Sequence, residues 1–197
     1  MTPITIHDQT FEVYSWEKFG KHVFELSKKI VESGESFDRI VALAQGGTVI
    51  ARAVSDHIGV KNVSSIQISF YTGIESKTKT PVITQSLPVT IKGERVLIID
   101  DIADSGETLL MASEYMRWHG AEESKTATLV VKPWTKKTPD FWYHKTQAWI
   151  VYPWETRETI QLLTQIWKDK GDSGDSIVSH LQSLGYSLEE IELFGQK

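Results

Sequence analysis

Short runs of apolar residues alternate along the chain with stretches in which apolar positions recur every three or four residues. That alternation predicts strands layered with helices, an α/β fold. Trp16, Phe19, Val23, Leu26 and Ile30 fall on one face of a first helix, capped by Ser15 and stopped at Ser33-Gly34. Residues 40–43 form a buried strand, and Ala44-Gln45-Gly46-Gly47 leads from it into a helix over about 48–57. The next strand spans 63–70, with Ser64, Gln67 and Ser69 interleaved. It gives way to a polar stretch reaching about residue 86 and carrying Lys77 and Lys79. After a turn at Lys92-Gly93, residues 96–99 are wholly apolar and rich in branched side chains, the pattern of a strand buried on both faces. Leu109, Leu110, Ala112, Tyr115 and Met116 give the following helix its apolar face. Strands are expected again at 126–131 and 148–151, and a helix at 158–170 with Ile160, Leu163 and Ile166 inward. A polar linker at 170–175 precedes two short helices, the second opened by the capping box Ser187-Leu-Glu-Glu190. The expected organisation is one domain over 1–170 and a helical appendage over 171–197.

The chemistry concentrates where the 96–99 strand ends. Asp100 and Asp101 follow it directly, then a turn of small residues, then a helix start near Thr108. In open α/β sheets ligands sit beyond the carboxyl ends of the strands. A small-residue turn opening a helix offers backbone N–H groups to an anion, usually phosphate. Adjacent carboxylates accept hydrogen bonds from vicinal hydroxyls or hold hydrated Mg²⁺. Together these parts suit a sugar phosphate; the competing reading is a surface turn with solvated aspartates. Gly46-Gly47 permits close backbone approach, in a phosphate loop or in an ordinary tight turn.

Composition narrows the classes. The 197 residues are 40% hydrophobic and 24% charged, ordinary for a globular chain, with a formal net charge of −5. No basic footprint argues for nucleic acid, so an anionic ligand must be held by local groups. The absence of cysteine excludes a disulfide scaffold, a thiol nucleophile and a Cys-ligated metal, and fits a reducing cytoplasm. No apolar run reaches transmembrane length, and the polar N-terminus does not read as a signal peptide. The six histidines show no metal-ligand spacing and are read as non-catalytic.

The run Val-Leu-Ile-Ile-Asp-Asp-Ile-Ala-Asp-Ser-Gly-Glu-Thr-Leu, residues 96–109, resembles the phosphoribosyl-pyrophosphate (PRPP) motif of the type I phosphoribosyltransferase family. The resemblance covers about residues 37–160 and is strongest to the 6-oxopurine branch. It implies a doubly wound, mostly parallel sheet with a flexible hood loop, here the polar stretch carrying Lys77 and Lys79. It also implies transfer of the 5-phosphoribosyl group from PRPP to guanine, xanthine or hypoxanthine, giving a nucleoside monophosphate and pyrophosphate in purine salvage. Asp100 and Asp101 would hold the ribose hydroxyls and Mg²⁺, in part through water. Ala103, Asp104, Ser105, Gly106, Glu107 and Thr108 would bind the 5′-phosphate, and Ala44, Gln45, Gly46 and Gly47 the pyrophosphate. Gln45 stands where many 6-oxopurine members carry a basic residue, which leaves backbone amides to do the binding.

Three further features match the branch, and Trp154-Glu155 adds a fourth resemblance. Asp104 corresponds to the acid assigned to proton transfer at purine nitrogen 7. Lys132 corresponds to the donor facing the oxygen on purine carbon 6. Trp149-Ile150 resembles the aromatic–aliphatic pair against which the purine stacks. Trp154-Glu155 resembles a Trp-Asp of bacterial xanthine–guanine enzymes. Family members usually associate, which implies a homodimer or homotetramer in the cytoplasm, with no nucleic-acid or membrane partner. Two rival readings are a PRPP- or nucleotide-binding regulator on the same fold without turnover, and an unrelated phospho-acceptor module using the acidic pair.

Overall fold

The computed structural model describes residues 3–72 and 79–195. In chain order the elements are β1 (Ile4–Ile6), β2 (Gln9–Val13), α1 (Trp16–Glu32), β3 (Arg39–Ala44), α2 (Gly46–Ile58), β4 (Val63–Thr72) and β5 (Lys79–Gln85). There follow β6 (Arg95–Ala103), α3 (Glu107–Trp118), β7 (Glu123–Val131), β8 (Phe141–Lys145), β9 (Trp149–Val151), α4 (Thr156–Asp169), α5 (Gly174–Ser183) and α6 (Leu188–Gly195). They fold as two compact units: Gly20–Thr146, and the residues up to Phe19 together with those from Gln147 onward.

The first unit is built on a six-stranded sheet in the order β5-β4-β3-β6-β7-β8. All neighbours pair in parallel except β4 and β5, which are antiparallel at one edge. The polar stretch after residue 70 therefore begins and ends as a hairpin: β4 continues to Thr72 and β5 returns from Lys79. Lys77 and the side chain of Lys79 lie outside the described residues.

The crossovers explain the helix layers. The connection through α2 steps outward from β3 to β4, and the connection through α3 steps the other way, from β6 to β7. Right-handed crossovers in opposite directions put their helices on opposite faces. Val41, Leu43, Val96 and Ile98 pack with Leu109, Ala112, Tyr115 and Met116 of α3. Ile40, Ala42, Leu97 and Ile99 alternate with them and are just as fully buried on the other face, where α2 packs on β3 and β6. A strand covered on both sides needs apolar residues at every position, which is why residues 96–99 read as they do. At the amino ends of these strands Arg39 donates to both Glu94 oxygens, at 2.6 and 2.9 Å, and Arg95 pairs with Glu35 and Glu123.

The second unit has its own sheet, in which β1 and β2 form a hairpin and β9 pairs in parallel with β2. The 148–151 strand foreseen from the sequence thus belongs to this small sheet. Its apolar side carries Ile6, Phe11 and Val151, which share one core with Ile160, Leu163 and Trp167 of α4 and Ile177, Leu181 and Ile191 of the last two helices. Ser173 caps α5, its hydroxyl accepting from the Ser176 N–H at 3.2 Å. The capping box of α6 is formed: Glu190 N–H donates to Ser187 Oγ at 3.2 Å, and Ser187 N–H to Glu190 Oε2 at 2.8 Å. Among the described residues no helix is long and apolar enough to cross a membrane.

Candidate functional site

The strand order reverses between β3 and β6, and a crevice opens at such a switch point beyond the carboxyl ends of the two strands. Two loops meet there. Residues 44–47 end β3 and open α2; residues 103–107 end β6 and open α3. Each helix start leaves backbone N–H groups without intrahelical partners, a ready anion site. The Ala44–Gln45 peptide is cis, and α2 begins at Gly46, two residues earlier than its apolar pattern suggested, with Gln45 as its cap. Both glycines are closely packed, Gly47 against backbone and Gly46 against a side chain that could shift. A Cβ on Gly46 would run into the Asp101 carboxylate, and one on Gly47 into the Ile99 carbonyl oxygen.

Asp100 and Asp101 do not lie beyond β6 but within it. The strand continues to Ala103 because β7 goes on pairing with it, Asp100 opposite Thr128 and Ile102 opposite Val130. Pairing with β3 stops at Ile99, opposite Ala42, so one edge of the acidic segment is released into the crevice. Successive residues of a strand point to opposite faces. Asp101 is seated against Gly46, while the Asp100 carboxyl takes a hydrogen bond from the Thr108 side chain and accepts from the Asp101 N–H at 3.0 Å. The pair thus joins the two loops. Burial and then the charge of Asp101 hold the Asp100 carboxyl well above the usual carboxylate range. Two adjacent hard oxygen donors are the donor set a divalent cation of the Mg²⁺ kind would fit.

The turn at 103–108 is braced by Lys132, a candidate already from the sequence, and by residues 134–137, which the sequence analysis gave no role. Lys136 N–H donates to the Ser105 carbonyl at 2.9 Å, and Lys136 Nζ meets Glu107 Oε1 at 2.7 Å. Gly106 has φ 80, and a Cβ there would lie 2.6 Å from Lys137 N and from Thr135 Oγ1. Ser105 Oγ accepts from the Glu107 N–H at 3.3 Å. The Trp134 indole N–H donates to Asp104 Oδ1 at 2.7 Å. Asp104 itself is exposed.

Lys132 is only 6% exposed, although it directly follows β7 at the rim of the sheet. Its backbone N–H donates to the Ala103 carbonyl at 2.9 Å, and its ammonium lies 5.7 Å from the centre of the Trp134 ring. Asp100, Asp101, Asp104, Lys132 and both loops therefore belong to one unit and one end of one sheet. Trp149 and Ile150 belong to the other unit, on β9; Trp149 is exposed, 6.5 Å from the Phe11 ring, and Ile150 is buried. Trp154 sits among Phe19, Trp16 and Tyr152, stacked on the last at 4.5 Å, and Glu155 precedes α4.

Comparison with known proteins agrees with this geometry. A phosphoribosyl transferase domain model matches residues 9–160. A xanthine-guanine phosphoribosyltransferase of Nitratidesulfovibrio vulgaris (strain Hildenborough) is 30% identical over 144 residues, covering 72% of this chain and 83% of that protein. One from Gluconobacter oxydans is 26% identical over 157 residues, covering 79% and 89%. The crystal structure of a purine phosphoribosyltransferase from Pyrococcus horikoshii superposes with a TM-score of 0.66 at 34% identity, over 73% of this chain and 93% of that one. The chain belongs to the type I phosphoribosyltransferase family, in its 6-oxopurine branch.

Proposed function

We propose that this protein is a purine phosphoribosyltransferase that moves the 5-phosphoribosyl group of PRPP onto a 6-oxopurine, as a step of purine salvage. The observation that carries the reading is the crevice between β3 and β6, where two helix N-termini flank an acidic pair held in a paired strand. The backbone N–H groups of residues 103–108, with the hydroxyls of Ser105 and Thr108, bind the 5′-phosphate. The backbone of residues 44–47 binds pyrophosphate, and Gly46 and Gly47 let it approach the strand end. Asp100 and Asp101 hold the ribose hydroxyls and would hold Mg²⁺, which when bound neutralises charge on the departing pyrophosphate.

In the transfer, purine nitrogen 9 bonds to ribose carbon 1 as the bond from that carbon to the pyrophosphate oxygen breaks. The electron pair leaves with pyrophosphate. Asp104 takes the proton that the purine sheds at nitrogen 7, acting as general base. Lys132 faces the carbon-6 oxygen; an ammonium has three donors and no acceptor, so it selects a carbonyl over an amino group. The chain's own contribution is positioning and charge stabilisation, without a covalent nucleophile. We place the enzyme in the cytoplasm as a homodimer or homotetramer.

The test is nucleotide formation from guanine, xanthine, hypoxanthine and adenine with PRPP and Mg²⁺. Turnover of one or more oxo-purines, lost when Mg²⁺ is chelated, is the expected result. Turnover of adenine alone overturns the role of Lys132. PRPP binding with no turnover of any base makes the protein a regulator. Light scattering that gives a monomer overturns the assembly.

A further inference from the structure

Three side chains far apart in the sequence converge in the unit that holds β1, β2 and β9. His7 is in the β1–β2 turn, Asp172 in the connection between α4 and α5, and His180 within α5. His7 Nε2 lies 2.9 Å from Asp172 Oδ2, and His180 Nε2 lies 3.6 Å from the same oxygen. The three candidate donor atoms all fall within 4.8 Å of one another. The imidazole rings meet edge to face, 5.5 Å between centres.

The arrangement does more than satisfy a carboxylate. One hydrogen bond, from His7, already serves Oδ2. His180 Nε2 is too far from that oxygen for a second, and instead sits 3.2 Å from Ser176 Oγ. Two imidazole nitrogens and a carboxylate oxygen therefore share one small space with a single direct hydrogen bond among them. In a tetrahedral site with metal–nitrogen bonds near 2.0–2.1 Å, neighbouring donor atoms stand about 3.3 Å apart. The separations of 2.9 and 3.6 Å bracket that value.

The backbone presents the donors rather than leaving them on loose ends. His7 has φ 51, a conformation rare for residues other than glycine, and the tight hairpin holds it. The Asp172 N–H donates to the Trp167 carbonyl at 3.0 Å, and the His180 ring packs 5.2 Å from that of Trp167. The side chains of His7, Asp172 and His180 keep 34, 15 and 27% of their surface exposed, so an ion can enter and water can fill a fourth position.

We propose that His7, Asp172 and His180 form a binding site for a zinc-type divalent cation. Two nitrogens and one oxygen favour a borderline, late first-row ion over Mg²⁺, which prefers oxygen donors and retains its water. Bound there, the ion ties the β1–β2 turn to the α4–α5 connection and to α5, fastening the first strands of the chain to its last helices. The site is distinct from Asp100 and Asp101, which lie in the other unit.

The experiment is titration of Zn²⁺ into full-length, tag-free, chelator-treated protein, against a colorimetric zinc chelator and by thermal melting. One equivalent per chain is expected, undisplaced by millimolar Mg²⁺. At a hundredfold excess over the dissociation constant the melting temperature should rise by about 5–10 °C. His7→Asn suits the turn, because Asn tolerates positive φ; it and Asp172→Asn should each weaken binding about tenfold or more. Binding that is absent at micromolar Zn²⁺, or undiminished in both variants, overturns the site. A readout free of mutation is the imidazole resonances of the wild-type chain: those of His7 and His180 must move with Zn²⁺. Movement confined to other histidines also overturns it.

Discussion

At the scale of single residues, the two aspartates that matter most differ in what surrounds them. Asp104 is exposed and tethered by one hydrogen bond from Trp134. Replacing it with Asn removes a proton acceptor without changing shape, and kcat should fall by about 10²–10⁴-fold with little change in the KM for PRPP. Trp134→Phe keeps an aromatic ring but removes the donor; we expect kcat to fall about tenfold while thermal stability is unchanged. Asp100 is the reverse case. Its carboxyl is held high by burial and by Asp101, so the folded state binds a proton more readily than the unfolded chain does. The sign follows: its stabilising contribution is complete below the ordinary carboxylate range and is lost as pH rises through the raised value. Asp100→Asn should therefore melt higher than the parent at neutral pH, the gap closing as pH is lowered, while PRPP binding is lost. Parallel melting curves from acid to neutral pH for the two proteins check it.

Among the elements, what the sequence disclosed was local and what it hid was distant. The segment 96–109 is contiguous, so its strand, acidic pair and turn could be read together, and the two-sided burial of β6 explains the unbroken apolar run. The pair's place inside the strand could not be read, because it depends on β7 continuing where β3 stops. The brace at 132–137 touches a turn some thirty residues earlier, and nothing in Trp134-Thr-Lys-Lys marks that destination. β8 shows neither alternation nor a continuous aliphatic run, and all its residues but the last are partly buried. β1 and β2 are short, and neither could be assigned until β9 was known to lie beside β2. The glycine pair, ambiguous in sequence, packs closely on β6, Gly46 against the Asp101 carboxylate and Gly47 against the Ile99 carbonyl. Gly47→Ala drives a methyl group into the Ile99 carbonyl, and should cost about 1–3 kcal/mol in chemical denaturation and abolish PRPP binding.

At the scale of the whole molecule, the helices after residue 173 share the core of the second unit. Ile177, Leu181 and Ile191 close over Phe11, Ile160, Leu163 and Trp167. Ending the chain at residue 170 would uncover that cluster. Large apolar truncations typically cost several kcal/mol, so the shortened chain should bind a hydrophobic dye and be cleaved by protease within α4, where the full chain resists.

The parallel pairing of β2 with β9 also fixes when this unit can be completed during synthesis. Phe11 faces Trp149 across that ladder, and about 140 residues must be translated between them, on the order of ten seconds at typical ribosomal rates. For that interval the emerging hairpin has no partner strand, whereas the central sheet, drawn from one uninterrupted stretch of chain, can assemble first. The hairpin, translated well before its partner strand β9, is thus among the last elements to find its place.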